Sequence, residues 1–523
     1  MKQICFVVTL FAYSFLHAQT VNVSFSKKFS LRDHALTEKD GGTFKVGDFF
    51  YTMETDYKGM QLAYTAKLDK IKYGINIFRF DGDMKELNKV ALDGDGKTLG
   101  PFPPKGASFN GKLLFFYYKT QDNGSIQLLY SVVDPETMNA LPAKELYTIS
   151  ERNVGIFKLE KAVMGNVLSL AISPDNSKLL VAQSGNASEV FTVVFDKDLV
   201  TSKPVISRVK GDLEDFGIQQ AHIDNDGNKY FTYGYTEDKH GKSGVLLQNT
   251  SGKEAWLTVR TMQDALEAGT LFLHPSKDNT KMYLYGICVG EHLDEGVFLA
   301  TADATKLKLG NPQVFAYPPD LREKLHKMDY ADKDHGNLSV KRAYYLFNEL
   351  EDGTVALTGY PINIVNRTRT EMIGMNAGRT TATVDHYAGP IVNIFIKSGK
   401  SSFGVIYRNQ EMTAASELIA IPYKDKLVCI YNDSPRSIGS EDLRVIDKKY
   451  DAGDLVLAAA VVGNDGVVVS RNKIADKTGR ACYFTGYKQR LSDQSYLVPL
   501  GQDKVNMMRY YTELEQWATV EVN

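Results

Sequence analysis

The chain has 523 residues, with 61 Lys and Arg against 63 Asp and Glu and a formal net charge of −2. Both signs are mixed along its length, which excludes the basic field that a general nucleic-acid binder needs. The 4 cysteines are too sparse for a disulfide-stapled scaffold. With no Cys-x-x-Cys and no His pair at ligand spacing, neither a metal nor another cofactor is expected.

The N-terminus reads MKQICFVVTLFAYSFLHAQT. A cationic Lys2, an apolar run from Ile4 to Leu16 and the small Ala18 are the parts of a secretory signal. Residues 1–19 are therefore expected to be a leader, 20–40 a segment with one spare strand, and 41–523 the folded body of an exported protein, periplasmic or extracellular. The ending His-Ala-Gln resembles signal peptides of Bacteroidota. No later run approaches the ~18 apolar residues of a membrane helix.

From Gly41 onward one pattern recurs: a polar turn, then a strand of β-branched and aromatic residues. It appears as VGDFFYTMET, NGKLLFFYYKT, DNSKLLVAQS, DGNKYFTYGYT, DNTKMYLYGIC, DGTVALTGYP and YKDKLVCIYND. The residues just before these strands are Asp48, Lys112, Lys178, Lys229, Lys281, Thr354 and Lys426. A second series, out of phase, places an apolar strand before its own tight turn at Asp81, Asp134, Asp196, Ser251, Asp303, Ser398 and Asn464. Gly, Asn and Asp in these turns tolerate positive φ, the chemistry of hairpins. Two independent markers thus give seven units of at least two hairpins each. The pattern predicts an all-β chain, a seven-bladed β-propeller with four-stranded antiparallel blades.

After Asn464 the chain still holds GVVVSRNKI, ACYFTGYKQR and SYLVPLGQDKVNMMRYYTEL, more strand than one blade uses. Val21–Leu31 is a strand candidate with no hairpin partner. Strands from the two ends are therefore expected to pair and close a monomeric ring. Cys288 and Cys429 fall in the same class of strand of different blades, so no disulfide between them is expected.

Ser173-Pro174-Asp175 stands at the turn into one blade strand, and His274-Pro275 is taken as its counterpart two units on. Here the chain resembles the TolB-type propeller repeat, marked by Ser-Pro-Asp-Gly before a strand. The whole pattern is similar to exported propellers of Bacteroidota. That resemblance implies the fold and brings no catalytic motif.

Motifs for chemistry are few. Asp224–Asn228 (DNDGN) and Asp93–Lys97 (DGDGK) begin like calcium loops, but position twelve is Tyr235 or Pro104 rather than Glu. Both are read as turns. Asp332–Asn337 (DKDHGN) follows a short helix expected over Pro318–Met328 and is read as a connecting loop. A Gly-x-Ser-x-Gly elbow and a sialidase-type box are both absent from the sequence. The least repeat-like stretch is Asn363–Pro390, which interrupts the sixth unit between its second and third strands. It is long for a hairpin loop, and such loops tend to be functional. Its Arg367, Arg369, Arg379, His386 and Tyr387 are the candidate binding residues, expected on a projecting loop. The expected function is a binding scaffold for a protein or glycan partner. The alternative is a carbohydrate-processing enzyme with carboxylates at the mouth of the central channel.

Overall fold

The computed structural model describes residues 21–25, 43–58, 72–82, 85–92, 104–121, 125–149, 168–184, 189–209, 213–237, 240–258, 267–289, 294–327, 342–372, 378–388, 390–408, 410–412, 418–433, 435, 438, 456–475, 483–484, 489–490, 495–506 and 509–522. The leader, Asp93–Lys97, Asp332–Asn337 and Cys482 lie outside them. The chain divides into two compact units: Arg32–Ala316, and Met1–Leu31 together with Tyr317–Asn523. The first strand of the chain, β1 (Val21–Phe25), belongs to the latter.

Among its described residues the unit Arg32–Ala316 forms five antiparallel sheets, each made of strands consecutive in sequence. The first sheet is β2 (Thr43–Val46), β3 (Phe49–Lys58), β4 (Lys72–Phe80) and β5 (Glu86–Leu92). The second is β6 (Lys105–Phe109), β7 (Lys112–Thr120), β8 (Ile126–Val133) and β9 (Lys144–Ile149). The third is β10 (Leu168–Ile172), β11 (Lys178–Ser184), β12 (Glu189–Asp196) and β13 (Val205–Arg208). The fourth is β14 (Glu214–Ile223), β15 (Lys229–Glu237), β16 (His240–Gln248) and β17 (Glu254–Thr258). The fifth is β18 (Glu267–Pro275), β19 (Met282–Val289) and β20 (Asp294–Asp303), with β21 (Lys308–Leu309) and β22 (Gln313–Ala316) both paired to β20.

Successive sheets pack face to face, which is why their middle strands are apolar throughout rather than alternating. In β7, Leu113, Phe115 and Tyr117 pack with Tyr51, Met53 and Ile77 of the first sheet. Leu114, Phe116 and Tyr118 pack with Leu179, Val181 and Phe195 of the third. Phe195 meets Phe116 and Tyr130 edge-on at 5.9 and 5.0 Å, the orientation that ring quadrupoles favour. Fourth strands such as β13 are largely exposed.

In the other unit β1 is followed by α1 (Pro319–Lys327), the expected helix, started by Pro319 with Asp320 in its first turn. That unit's first sheet comprises β23 (Arg342–Glu349), β24 (Val355–Met372), β25 (Gly378–Ala388), β26 (Ile391–Lys397), β27 (Lys400–Ile406) and β28 (Gln410–Met412). A four-stranded meander follows: β29 (Leu418–Tyr423), β30 (Lys426–Asp433), β31 (Val456–Gly463) and β32 (Val468–Ala475). The last sheet holds β33 (Tyr483–Phe484), β34 (Gln489–Arg490), β35 (Ser495–Asn506) and β36 (Arg509–Val522), completed by β1. β1 runs antiparallel to β36 from Val21↔Val522 to Phe25↔Ala518.

All seven first-series residues stand at the start of the second strand of a sheet or just before it. The second-series turns join third to fourth strands in six of the same sheets, and Ser398 joins β26 to β27, the fourth and fifth strands of the six-stranded sheet. The described residues nevertheless form eight sheets, where seven units were expected. The additional sheet is the terminal one, whose strands come from both ends of the chain. Cys288 and Cys429 are buried and form no disulfide.

Candidate functional site

Asn363–Pro390 is not a loop. β24 runs on for 18 residues and turns back as β25. The two pair without a bulge from Ile362↔Ala388 to Met372↔Gly378. β24 pairs with β26 only over Val355–Gly359 and with β23 only as far as Ile362. The ten residues beyond Ile362, at ~3.4 Å each, carry the ribbon roughly 34 Å further. β-branched residues make up much of it, including Thr368, Thr370, Thr380, Thr381 and Thr383, and such side chains favour extended backbone.

Strand alternation sorts the expected binding residues. Arg367, Arg369 and Glu371 hold alternate positions on β24, opposite Thr383, Thr381 and Arg379 on β25. Asp385 and Tyr387 share that face, opposite Val365 and Asn363. His386, opposite Ile364, takes the other face and also pairs with Met412 of β28. The structure thus brings Arg367, Arg369, Arg379 and Tyr387 to one face and separates His386 from them. All five Arg, Asp and Glu residues of the ribbon fall on that one face. The expected exposure of the arginines concerns side chains outside the described ones.

The foot of the ribbon is fixed by a buried polar cluster. Thr358 Oγ1 donates to Asn393 Oδ1 at 2.9 Å, and Asn393 Nδ2 donates to the Gly404 carbonyl at 3.3 Å. Cys429 Sγ lies 3.3 Å from the same Asn393 oxygen. Arg408, 0% exposed, sits 4.7 Å from the Tyr360 ring centroid and 5.5 Å from that of Tyr431. Arg471 donates through Nε to the Tyr431 hydroxyl at 2.9 Å and through Nη2 to Asp433 Oδ2 at 2.5 Å. Burial pushes the Tyr431 phenol far above its usual range, so it stays protonated. Burial lowers the Arg408 guanidinium. Burial would lower Arg471 too, but Tyr431 and Asp433 outweigh it and raise it. This cluster ties β24 to β30 and β32. Sequence reading missed it, although a carboxylate closing the apolar strand KLVCIYND was a signal that a cation must meet it.

The acids near the turns are engaged in holding them. Ser173 Oγ donates to Asp175 Oδ1 at 2.6 Å and accepts from the Ser177 and Lys178 amides at 3.1 and 2.9 Å. The bond from Ser173, with a second from the Ser177 amide to Asp175 Oδ1 at 3.0 Å, lowers the Asp175 carboxyl, Ser173 contributing most. Ser276, Asp278 and Lys281 repeat the same bonds, and Asn176 and Asn279 both have positive φ. The counterpart of Ser173 is therefore Ser276, not His274. Pro275 pairs with Met282 as Ile172 pairs with Leu179, so it ends a strand instead of shaping the turn. Asp224 accepts from the Gly227 and Asn228 amides, from Asn228 Nδ2 and from the Tyr230 hydroxyl at 2.8 to 3.1 Å. That turn is closed on itself, as expected. His222 of β14 is lowered to about 4, by burial first and by His274 second.

Among the described residues no group of three or more His, Cys, Asp or Glu could hold a metal ion, and no helix is long and apolar enough to cross a membrane.

No family model matches the chain, and no curated protein matches it. Solved structures similar to it include the β-propeller domain of the trilobed protease from Pyrococcus furiosus, 10% identical over 87% of this chain and 99% of that one, with a TM-score of 0.34. Another is the polysaccharide lyase Uly1, 11% identical over 95% and 99%, with a TM-score of 0.40. The WD40 domain of SCAP from fission yeast is 8% identical over 96% and 98%, with a TM-score of 0.39.

Proposed function

We propose that this chain is an exported β-propeller that works as a binding scaffold, its sheets being the blades and the β24–β25 ribbon its recognition element. Serial meanders with both faces covered support the propeller reading, and the pairing of β1 with β36 supports closure by the terminal strands. The leader-like N-terminus supports export. The single observation behind the ribbon's role is its length beyond Ile362, where it adds nothing to the ladders of β23 and β26. A scaffold's function lives in such appendages on a rigid frame.

The test is affinity purification from the native host with two tagged proteins: the full chain, and one in which residues 363–387 are replaced by Asn-Gly. A component retained by the first and lost by the second is expected. Identical sets of retained components would reject the ribbon as the recognition element.

A further inference from the structure

The ribbon offers more than charge. Ile362 pairs with Arg342 of β23 on one flank of β24 and with Ala388 of β25 on the other. β23 begins at Arg342, so from Asn363 to Met372 no strand among the described residues pairs with that flank of β24. An unpaired strand edge is a template for another extended chain, because its amides and carbonyls point sideways in register. Arg367 and Arg369 hold alternate positions on this same strand and so share a face. A residue directly across an antiparallel pair lies about 4.5–5.5 Å away, Cβ to Cβ, within reach of an ion pair.

Resting on the reading of the ribbon as the recognition element, we propose that β24 binds an extended acidic peptide segment of a partner protein as an added strand along Asn363–Met372. Carboxylates at alternate positions, in an Asp/Glu-x-Asp/Glu pattern, would lie opposite Arg367 and Arg369. Backbone hydrogen bonds supply affinity and the two arginines supply selection. Arg379 does not add to this pair, because Glu371 stands directly opposite it.

Fluorescence anisotropy with the full-length protein tests this, using a labelled ten-residue Thr/Val peptide bearing two Glu at i and i+2. Three comparison peptides are used: Gln at both positions, the Glu peptide N-methylated on alternate amides, and its i, i+3 isomer. The Glu peptide should bind saturably. Two exposed ion pairs lost to Gln should cost about tenfold, and N-methylation should abolish binding. Arg367→Gln/Arg369→Gln, checked for an unchanged melting temperature, should bind the Glu and Gln peptides alike. Equal binding of Glu and Gln peptides by the unmodified protein, insensitivity to N-methylation, equal binding of the i, i+3 isomer, or no binding of any peptide overturns the proposal. If native components still depend on the ribbon while no peptide binds, this inference fails and the scaffold reading stands.

Discussion

Asp433 is 1% exposed and ends a strand whose other residues are mostly apolar. It is tolerated there because Arg471 donates to it and Arg408 lies close enough to feel its charge. Taking away one partner of a buried pair strands the other in low dielectric, at a cost of about 3–5 kcal/mol. Urea denaturation of Asp433→Ala should show a loss of that size. The double variant Asp433→Ala/Arg471→Leu should recover part of it, because the stranded charge goes too. Two other groups contribute to the acid response in separate pH windows. His222 titrates at about 4 in the fold, below its ordinary 6.5, so the unfolded chain takes its proton first and stability falls as pH drops through that interval. At Asp352 burial works to raise the carboxyl, but Lys397 at 2.6 Å and Thr354 prevail, leaving it at about 2 against an ordinary 3.8. Its contribution is whole above pH 4 and fades towards pH 2. Thermal melts of His222→Gln and Asp352→Asn should each be flatter than the parent in the matching window.

At the scale of the element, one five-residue turn recurs at Asp224–Asn228, Asn249–Lys253, Leu350–Thr354 and Gly463–Val467. In each, the first amide donates to the fifth carbonyl and the fourth amide to the first. The fourth residue is glycine with φ from +77° to +99°. A side chain there strains the backbone by roughly 1–2 kcal/mol. Gly252 has open space around it, whereas a Cβ at Gly466 would stand 2.4 Å from the Phe403 carbonyl oxygen. Gly252→Ala should therefore cost about 1 kcal/mol and Gly466→Ala at least twice that, both read from urea midpoints. Such turns are why the strand starts were legible: the residues that permit positive φ are few, and they mark each strand start directly. The ribbon was not legible, for the converse reason. Sequence periodicity reports burial of one face, and a ribbon with its Arg, Asp and Glu residues on one face and Ile364, Val384 and Met372 interrupted by Asn, Thr, Ala and His on the other has no regular apolar alternation to report. What holds it straight is cross-strand pairing, which a single strand's sequence does not display. Arg408 was hidden similarly, since nothing in IYRNQ distinguishes an arginine enclosed by two tyrosines from one in solvent.

At the scale of the whole molecule, the two ends of the chain meet in one sheet, and counting turns could not find that sheet because its sequence carries no strand-entry signature of the repeating kind. Val21 packs partly buried beside Val520 and Val522, each 0% exposed, in a cluster with Ile419, Ile421, Val428 and Ile430. The sheet is thus a face of the neighbouring meander's core as well as the joint between the termini. The ribbon has no comparable share in any described core cluster, so replacing residues 363–387 by a short turn should leave the melting temperature almost unchanged. Cutting the chain after Gln494 is the opposite case. It removes β35 and β36, leaves β1 without its ladder, and uncovers one face of β29, β30 and β31. Each lost backbone bond is worth about 0.5–1.5 kcal/mol net, and each buried valine about 1.5–3 kcal/mol. The sum is comparable to the whole stability of an ordinary domain. The truncated protein should therefore melt far below the full chain, or not fold cooperatively at all. Removal of residues 1–25, which takes away only β1, should fall between the truncated and the ribbon-shortened proteins. Differential scanning calorimetry of the three proteins gives the order directly. If the chain cut after Gln494 melts with the parent, the terminal sheet contributes nothing to cohesion and the pairing of β1 with β36 is not what holds the ends.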